Sequence, residues 1–314
     1  CCRRGGSEPT VTDANVILGR IDPETMLGGT LPIDGDAAER AVSALACDLG
    51  ISTIDTALGI VAIAEEVMAG AIRSVSIEQG SDPRGASLLA FGGAGGLHAV
   101  SLARSLSMAS VIVPPFGGVL SALGLMLAPP RVDLASAVHV VDADLAPIHL
   151  VVEDLETRAR VELGRAGHEA VSIEATLDVR YLGQAHEIGV PWHSSESFDV
   201  LSGRFSEMHE VRNGFSRPDD SIEIVAARCT ASGIPAITID DLGTWSRRST
   251  SPPTTRRVVG VAGPVTATIR DRRSLEVGDV VVGPAVIEER ESTTFLDVGE
   301  RAEVHANGSL EVTW

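Results

Sequence analysis

With 314 residues, 44% of them hydrophobic and 22% charged, the chain is long enough for two or three domains with cores of their own and needs no disulfide or metal staples. Its 43 acidic residues against 25 basic ones give a formal charge of −18, which argues against a nucleic-acid backbone as partner for most of this surface. Every basic residue is Arg, so Schiff-base and phosphate-loop lysines are excluded, and any phosphate chemistry must rest on backbone amides, Arg and metal ions.

Aromatic residues make up 3%, so the cores must be built mainly from Val, Ile, Leu and Ala. The four cysteines, at 1, 2, 47 and 229, form neither a disulfide framework nor a CxxC metal knuckle, and a reducing cytoplasm is the expected compartment. No apolar run approaches the roughly 18 to 20 residues of a membrane span, and no signal peptide opens the chain. The opening "CCRRGGSEPTVTDAN" has no Met and reads as the middle of something, so a fragment or a processed half is expected.

From Thr10 to about Val138, "DANVILGRI", "GDAAERAVSALACDLG", "STIDTALGIVAIAEEVMAGAIRSVSIEQ" and "GLHAVSLARSL" carry apolar residues at helical spacing. "ASLLAFGG" and "ASVIVPP" are short, aliphatic and bounded by turn residues, as strands are. Strands separated by helices predict an α/β lobe over residues 1–139. Asp13, Asp36 and the Ser52–Asp55 pair are the expected helix starts, and Gly50 and Gly80 the expected stops.

Residues 140–241 change character: "HLVVEDLETRARVELGRAG" and "ESFDVLSGRFSEMHEVRNGF" are helical, while "SIEATLDVRYLGQAHEIGVPW" alternates like a strand pair and "SIEIVAARCTASG" like a single strand. This predicts an α+β segment. Residues 242–257 read as a linker, and 258–314 as a small β-rich C-terminal domain of short strands with Gly, Pro and Asn-Gly turns.

The junction "LLAFGGAGGLHAVSLARSL" places Gly92, Gly93, Ala94, Gly95 and Gly96 between a strand and a helix. Such a turn leaves free amides and a positive helix end facing whatever sits above it. A tight turn against a packed neighbour needs the same small residues, and both readings stand. His98, at the start of the helix, is either a ligand contact or a locally satisfied ring. Asp13 before an apolar helical run is an N-cap or, alternatively, a metal-water ligand or a polar group of a substrate cleft.

Arg84 in "GSDPR" is explained by a surface turn, though its planar fork would also suit a phosphate or carboxylate. Cys1 and Cys2 have no His–Asp arrangement near them. His186 is expected on a strand face, and Glu65 and Glu66, adjacent on a helix, point apart and are expected to face solvent.

Taken in order, "CCRRGGSEPTVTDANVILGRIDP", "GIVAIAEEVMAGAIRSVSIEQGSDPRGASLLAFGGAGGLHAVSLARSL", "VIVPPFGGVLSALGLMLA", "LDVRYLGQAHEIGVP" and "VVGPAVIEERESTTFLDVGERAEVHANGSL" resemble the hydantoinase A/5-oxoprolinase family, which includes a subunit of the acetone carboxylases. The resemblance spans nearly the whole chain. It implies an actin-like ATPase lobe, with the turn at 92–96 and His98 contacting a nucleotide. It implies ATP and Mg²⁺ as cofactors, a cyclic amide substrate whose carbonyl is phosphorylated before ring opening, a hydantoinase B-type partner subunit and an oligomer. Asp13 is the candidate catalytic residue; no metal ligand is assigned.

The phosphate-gripping hairpin that opens such proteins is missing, because "LGGT" at 27–30 lacks the Asp and the strand context. The chain therefore resembles a C-terminal half, expected to be inactive towards ATP alone. An acetone-carboxylase-type subunit and a non-catalytic nucleotide-binding scaffold are the alternatives. The chain departs from the family pattern at Cys2, Arg4, Gln79 and Gly96, where an aromatic, Gly, Arg and Pro are usual; the last change is expected to loosen the loop.

Overall fold

The computed structural model describes residues 6–314 apart from Thr25, Gly28, Gly29, Ala143 and Thr244, with the backbone alone for Met26, Leu27 and Gln79. The readings made on Cys1, Cys2, Arg4 and the glycines of "LGGT" lie outside the described residues. The chain divides into two compact units, one of residues up to Gly124 joined by Leu242–Trp314, the other of Leu125–Asp241.

The first unit starts with α1 (Val11–Ile17), the two-residue strands β1 (Met26–Leu27) and β2 (Leu31–Pro32), α2 (Gly35–Leu49) and α3 (Thr53–Val75). β1 and β2 pair antiparallel, with Met26 opposite Pro32 and Leu27 opposite Leu31. Thr10, rather than Asp13, is the N-cap of α1: its Oγ1 accepts from Asp13 N at 3.3 Å, and Asp13 Oδ2 accepts from Thr10 N at 2.8 Å. Asp34, rather than Asp36, caps α2 through Ala37 N. Ser52 and Asp55 cap α3 as expected, and Gly50 stops α2 at φ +69°, a left-handed conformation that suits glycine.

Next come β3 (Ser87–Leu89), α4 (Gly95–Ser105) and β4 (Ser110–Val113), a strand–helix–strand unit in which β3 and β4 are parallel. α4 buries Ala99, Val100 and Ala103 against Val111, Val113 and other apolar residues of this core. A short apolar helix, α5 (Leu120–Leu127), follows.

The second unit comprises β5 (Arg131–Val141), α6 (Ala146–Arg165), β6 (Ser172–Tyr181), β7 (Ile188–Trp192), α7 (Phe198–Asn213) and β8 (Ile222–Ser232). Its antiparallel sheet has the order β5-β8-β6-β7. Both helices contribute to one core, with Leu155, Leu163, Leu201 and Phe205 packed among Leu177, Val190 and Trp192. Period-2 alternation along β5 and period-3.6 along α6 supply the matching faces. The expected boundary at 139/140 falls at 124/125 because β5 pairs with β8 over nearly its whole length. His186 stands exposed in the loop between β6 and β7, not on a strand face.

The remaining strands are β9 (Thr254–Gly260), β10 (Gly263–Asp271), β11 (Val280–Val282), β12 (Ala285–Glu288), β13 (Thr293–Leu296), β14 (Arg301–Val304) and β15 (Leu310–Thr313). They do not stand apart as the small C-terminal domain expected. β15 pairs antiparallel with β4, extending one sheet in the order β11-β14-β15-β4-β3, while β13-β12-β10-β9 form a second. Val312 beside Val111 buries the seam of that pairing, which is why residues 242–314 share a core with α4. Among the described residues no single helix is long and apolar enough to cross a membrane.

Candidate functional site

The glycine-rich turn packs closely against neighbouring backbone at some residues and leaves amides open at others. Gly92 takes φ +88°, and its N–H donates to Gly117 O at 2.8 Å. Gly93 O accepts from Thr293 N at 3.2 Å. Gly96 is buried under β13, where an added Cβ would lie 2.6 Å from Thr294 Oγ1 and 2.8 Å from Thr293 O. Gly96 therefore admits a neighbouring strand, and its presence tightens the junction rather than loosening it. The N–H groups of Gly93 and Ala94 make no backbone hydrogen bond among the described residues and stand at the exposed N-terminus of α4.

Between α3, β3 and α4 lies a cavity of about 590 Å³, walled by Ala64, Met68, Ala90, Ala94, Gly95 and His98 among others. Its lining is apolar except for His98, and its size suits a small organic ligand. His98 is buried, and its Nδ1 lies 3.0 Å from Glu65 Oε1. A carboxylate can only accept, so Nδ1 carries the proton. Ser101 Oγ donates to the other oxygen of Glu65 at 2.6 Å. Glu65 thus faces α4 rather than solvent, whereas Glu66 pairs with Arg73 on the surface.

A second cavity, of about 430 Å³, is lined by Arg20, Glu65, Arg104, Phe295, Asp297 and Glu300 among others. Arg20 is 6% exposed, stacks over the Phe295 ring at 4.6 Å and, among the described residues, has no hydrogen-bond partner for Nε. Burial pushes its guanidinium pKa down, against the pull of Glu65, Asp297 and Glu300. Burial pushes the Glu300 carboxyl up, opposed by the hydrogen bond it accepts from Asp297 N at 2.7 Å and by Arg104.

Asp13 lines neither cavity; its Oδ2 is held in the capping box of α1. Arg84 forms an exposed pair with Asp82 at 2.7 Å, as a surface turn requires. The structure brings Ala94, Gly95 and His98 together around the first cavity and adds Glu65, which spacing along one helix pointed the other way. No sequence signal singled out Glu65: Arg73, seven residues beyond Glu66, accounts for that neighbour and not for Glu65 itself. Among the described residues no group of three or more His, Cys, Asp or Glu is placed to hold a metal ion.

The apolar cavity lies beside a strand–glycine turn–helix junction in a chain of the mixed α/β class. The chain belongs to the hydantoinase A/5-oxoprolinase family: residues 1–134 match the model described as Hydantoinase/oxoprolinase. It is 37% identical, over 99% of its length, to an uncharacterized protein of Methanocaldococcus jannaschii, and 30% identical, over its whole length, to the caprolactamase subunit alpha of Pseudomonas jessenii. The crystal structure of the ATP-dependent caprolactamase from Pseudomonas jessenii superposes with a TM-score of 0.77 over 100% of this chain and 48% of that one. A nucleotide-free acetone carboxylase structure, 21% identical, shares the fold with a TM-score of 0.78 over 99% of this chain and 47% of that one. The chain spans about half the length of the curated relatives it matches.

Proposed function

We propose that this chain supplies the nucleotide-binding lobe, of actin-like ATPase type, of an enzyme that opens a cyclic amide at the expense of ATP. The observation that carries the reading is the apolar cavity between α3 and the glycine turn, in a chain 30% identical to a caprolactamase subunit. A planar base fits an apolar slot, and the open amides of Gly93 and Ala94 at the start of α4 suit the polar, anionic remainder of a nucleotide.

The chemistry follows from the substrate. An unstrained amide is a poor electrophile. Transfer of the γ-phosphoryl group of ATP to the carbonyl oxygen converts that oxygen into a leaving group, and ADP departs. Water then adds to the carbon, the C–N bond breaks with protonation of nitrogen to leave an acyl phosphate, and a second water displaces the phosphate, so that lactam, ATP and two waters give amino acid, ADP and phosphate. No described residue cluster fits Mg²⁺, and the ion is expected to arrive with the nucleotide's own phosphates, so no step is assigned through it. A B-type partner subunit and an oligomer complete the proposal, and the relatives named as alpha and beta or gamma subunits support it.

The test is phosphate release from MgATP by the intact protein with its partner subunit, offered caprolactam, 5-oxoproline, hydantoin, or acetone with bicarbonate. Release that depends on one of the cyclic amides is expected. Release that depends only on the ketone, or on none of the four, would overturn the reading.

A further inference from the structure

Two cavities flank the α3–α4 contact, and one carboxylate stands between them. Glu65 lines the polar cavity, where it attracts the buried guanidinium of Arg20. Through Oε1 it holds His98, which lines the apolar cavity on the other side. Ser101 fixes the second oxygen at 2.6 Å, so the carboxylate has both its oxygens engaged from α4 and little freedom to turn. The imidazole is buried, and its Nδ1 is committed to Glu65. Nε2 is the ring atom left to meet an occupant of the apolar cavity.

We infer that Glu65 is a positioning residue that sets base selectivity: it locks His98 in the tautomer with Nδ1 protonated and so presents Nε2 to the cavity as an acceptor. This rests on the nucleotide reading above. An acceptor in an otherwise apolar slot is satisfied by a donor on the ligand and left unpaired by an acceptor. The exocyclic amine of adenine donates where the exocyclic oxygen of guanine accepts. The locked ring therefore favours a 6-aminopurine over a 6-oxopurine. Glutamine at 65 would keep the shape and lose the lock. Its amide can accept from Nδ1–H, or turn over and donate to a bare Nδ1, which moves the ring proton to Nε2.

The experiment uses the intact protein with ¹⁵N-labelled histidine, in wild type and in Glu65→Gln, with His98→Gln to identify the resonance. Binding of MgATP and of MgGTP is measured by calorimetry on the same samples. Wild type is expected to show a protonated Nδ1 and a bare Nε2, and to prefer MgATP. Glu65→Gln is expected to show mixed tautomers and to lose about tenfold of that preference, the worth of one unpaired hydrogen bond. A preference and a tautomer both unchanged in Glu65→Gln would overturn the inference, as would a wild type with Nε2 protonated or without preference for MgATP. Failure of wild type to bind either nucleotide would instead overturn the nucleotide reading and with it the selectivity, while the tautomer measurement would still decide the lock.

Discussion

Gly96 and Thr294 meet so closely that a β-carbon on the glycine would stand 2.6 Å from Thr294 Oγ1 and 3.0 Å from Thr294 Cα. The atoms in the way include the backbone of β13, which is paired with β12 and cannot swing aside as a long side chain would. Gly96→Ala is expected to destabilise the chain by about 1–3 kcal/mol through overpacking, read as a lower urea midpoint at unchanged slope. Gly70→Ala is the control, since nothing lies within 4 Å of an added Cβ and the exposed helix interior favours Ala. Its midpoint should rise.

Gly50 separates backbone strain from packing. It ends α2 at φ +69° with open space around it, so Gly50→Ala meets no atom and only the left-handed conformation opposes it. A loss of about 1 kcal/mol is expected in thermal unfolding. An unchanged melting temperature would mean that the helix end re-forms without that conformation.

Phe205 is wholly buried in the second unit and meets Tyr181, the chain's single tyrosine, edge-on at 4.8 Å. Phe205→Ala removes a ring from between Tyr181 and His209 and leaves a void among rigid neighbours. The expected loss is about 3–5 kcal/mol, with the near-ultraviolet signal of Tyr181 weakened before the helices melt.

Two carboxylates should respond to pH in opposite directions. Arg204 holds the Glu196 carboxyl down to about 2, against an ordinary value of 4.5, so it binds its proton less readily folded than unfolded. Its contribution is complete above about pH 4.5 and disappears as pH falls towards 2. Burial pushes the Glu300 carboxyl up, so its ionised form opposes folding near neutrality and the penalty is relieved as the solution is acidified. The stability difference between wild type and Glu196→Gln, measured by urea unfolding from pH 7 down to pH 2, should therefore shrink. Glu300→Gln should be less acid-sensitive in the reverse sense, gaining on wild type at neutral pH and losing that gain as pH falls.

Local chemistry made much of the order of elements legible. The 3.6-residue rhythm of residues 53–75, the Ser52–Asp55 cap and the left-handed Gly50 each act within one turn of chain, and each appears where the letters put it. The caps of α1 and α2 were displaced by two or three residues because more than one side chain near each start can accept from the first free amides. The glycine turn was legible as a place of close approach, but not what approaches: Thr293 and Thr294 lie some two hundred positions away in the chain.

By itself, then, the amino-acid order determined the periodic elements, the strand–turn–helix junction at 87–105 and, through its motifs, the family. These depend on contacts between near neighbours or on runs of letters. Only the tertiary structure decided that β11, β14 and β15 complete the sheet of β3 and β4, that Glu65 faces His98, and that Arg20 is buried beside Glu65, Asp297 and Glu300. The reason is physical: those partners meet through burial of apolar faces distant in sequence, and a helical residue's period names the face it lies on without naming what covers it.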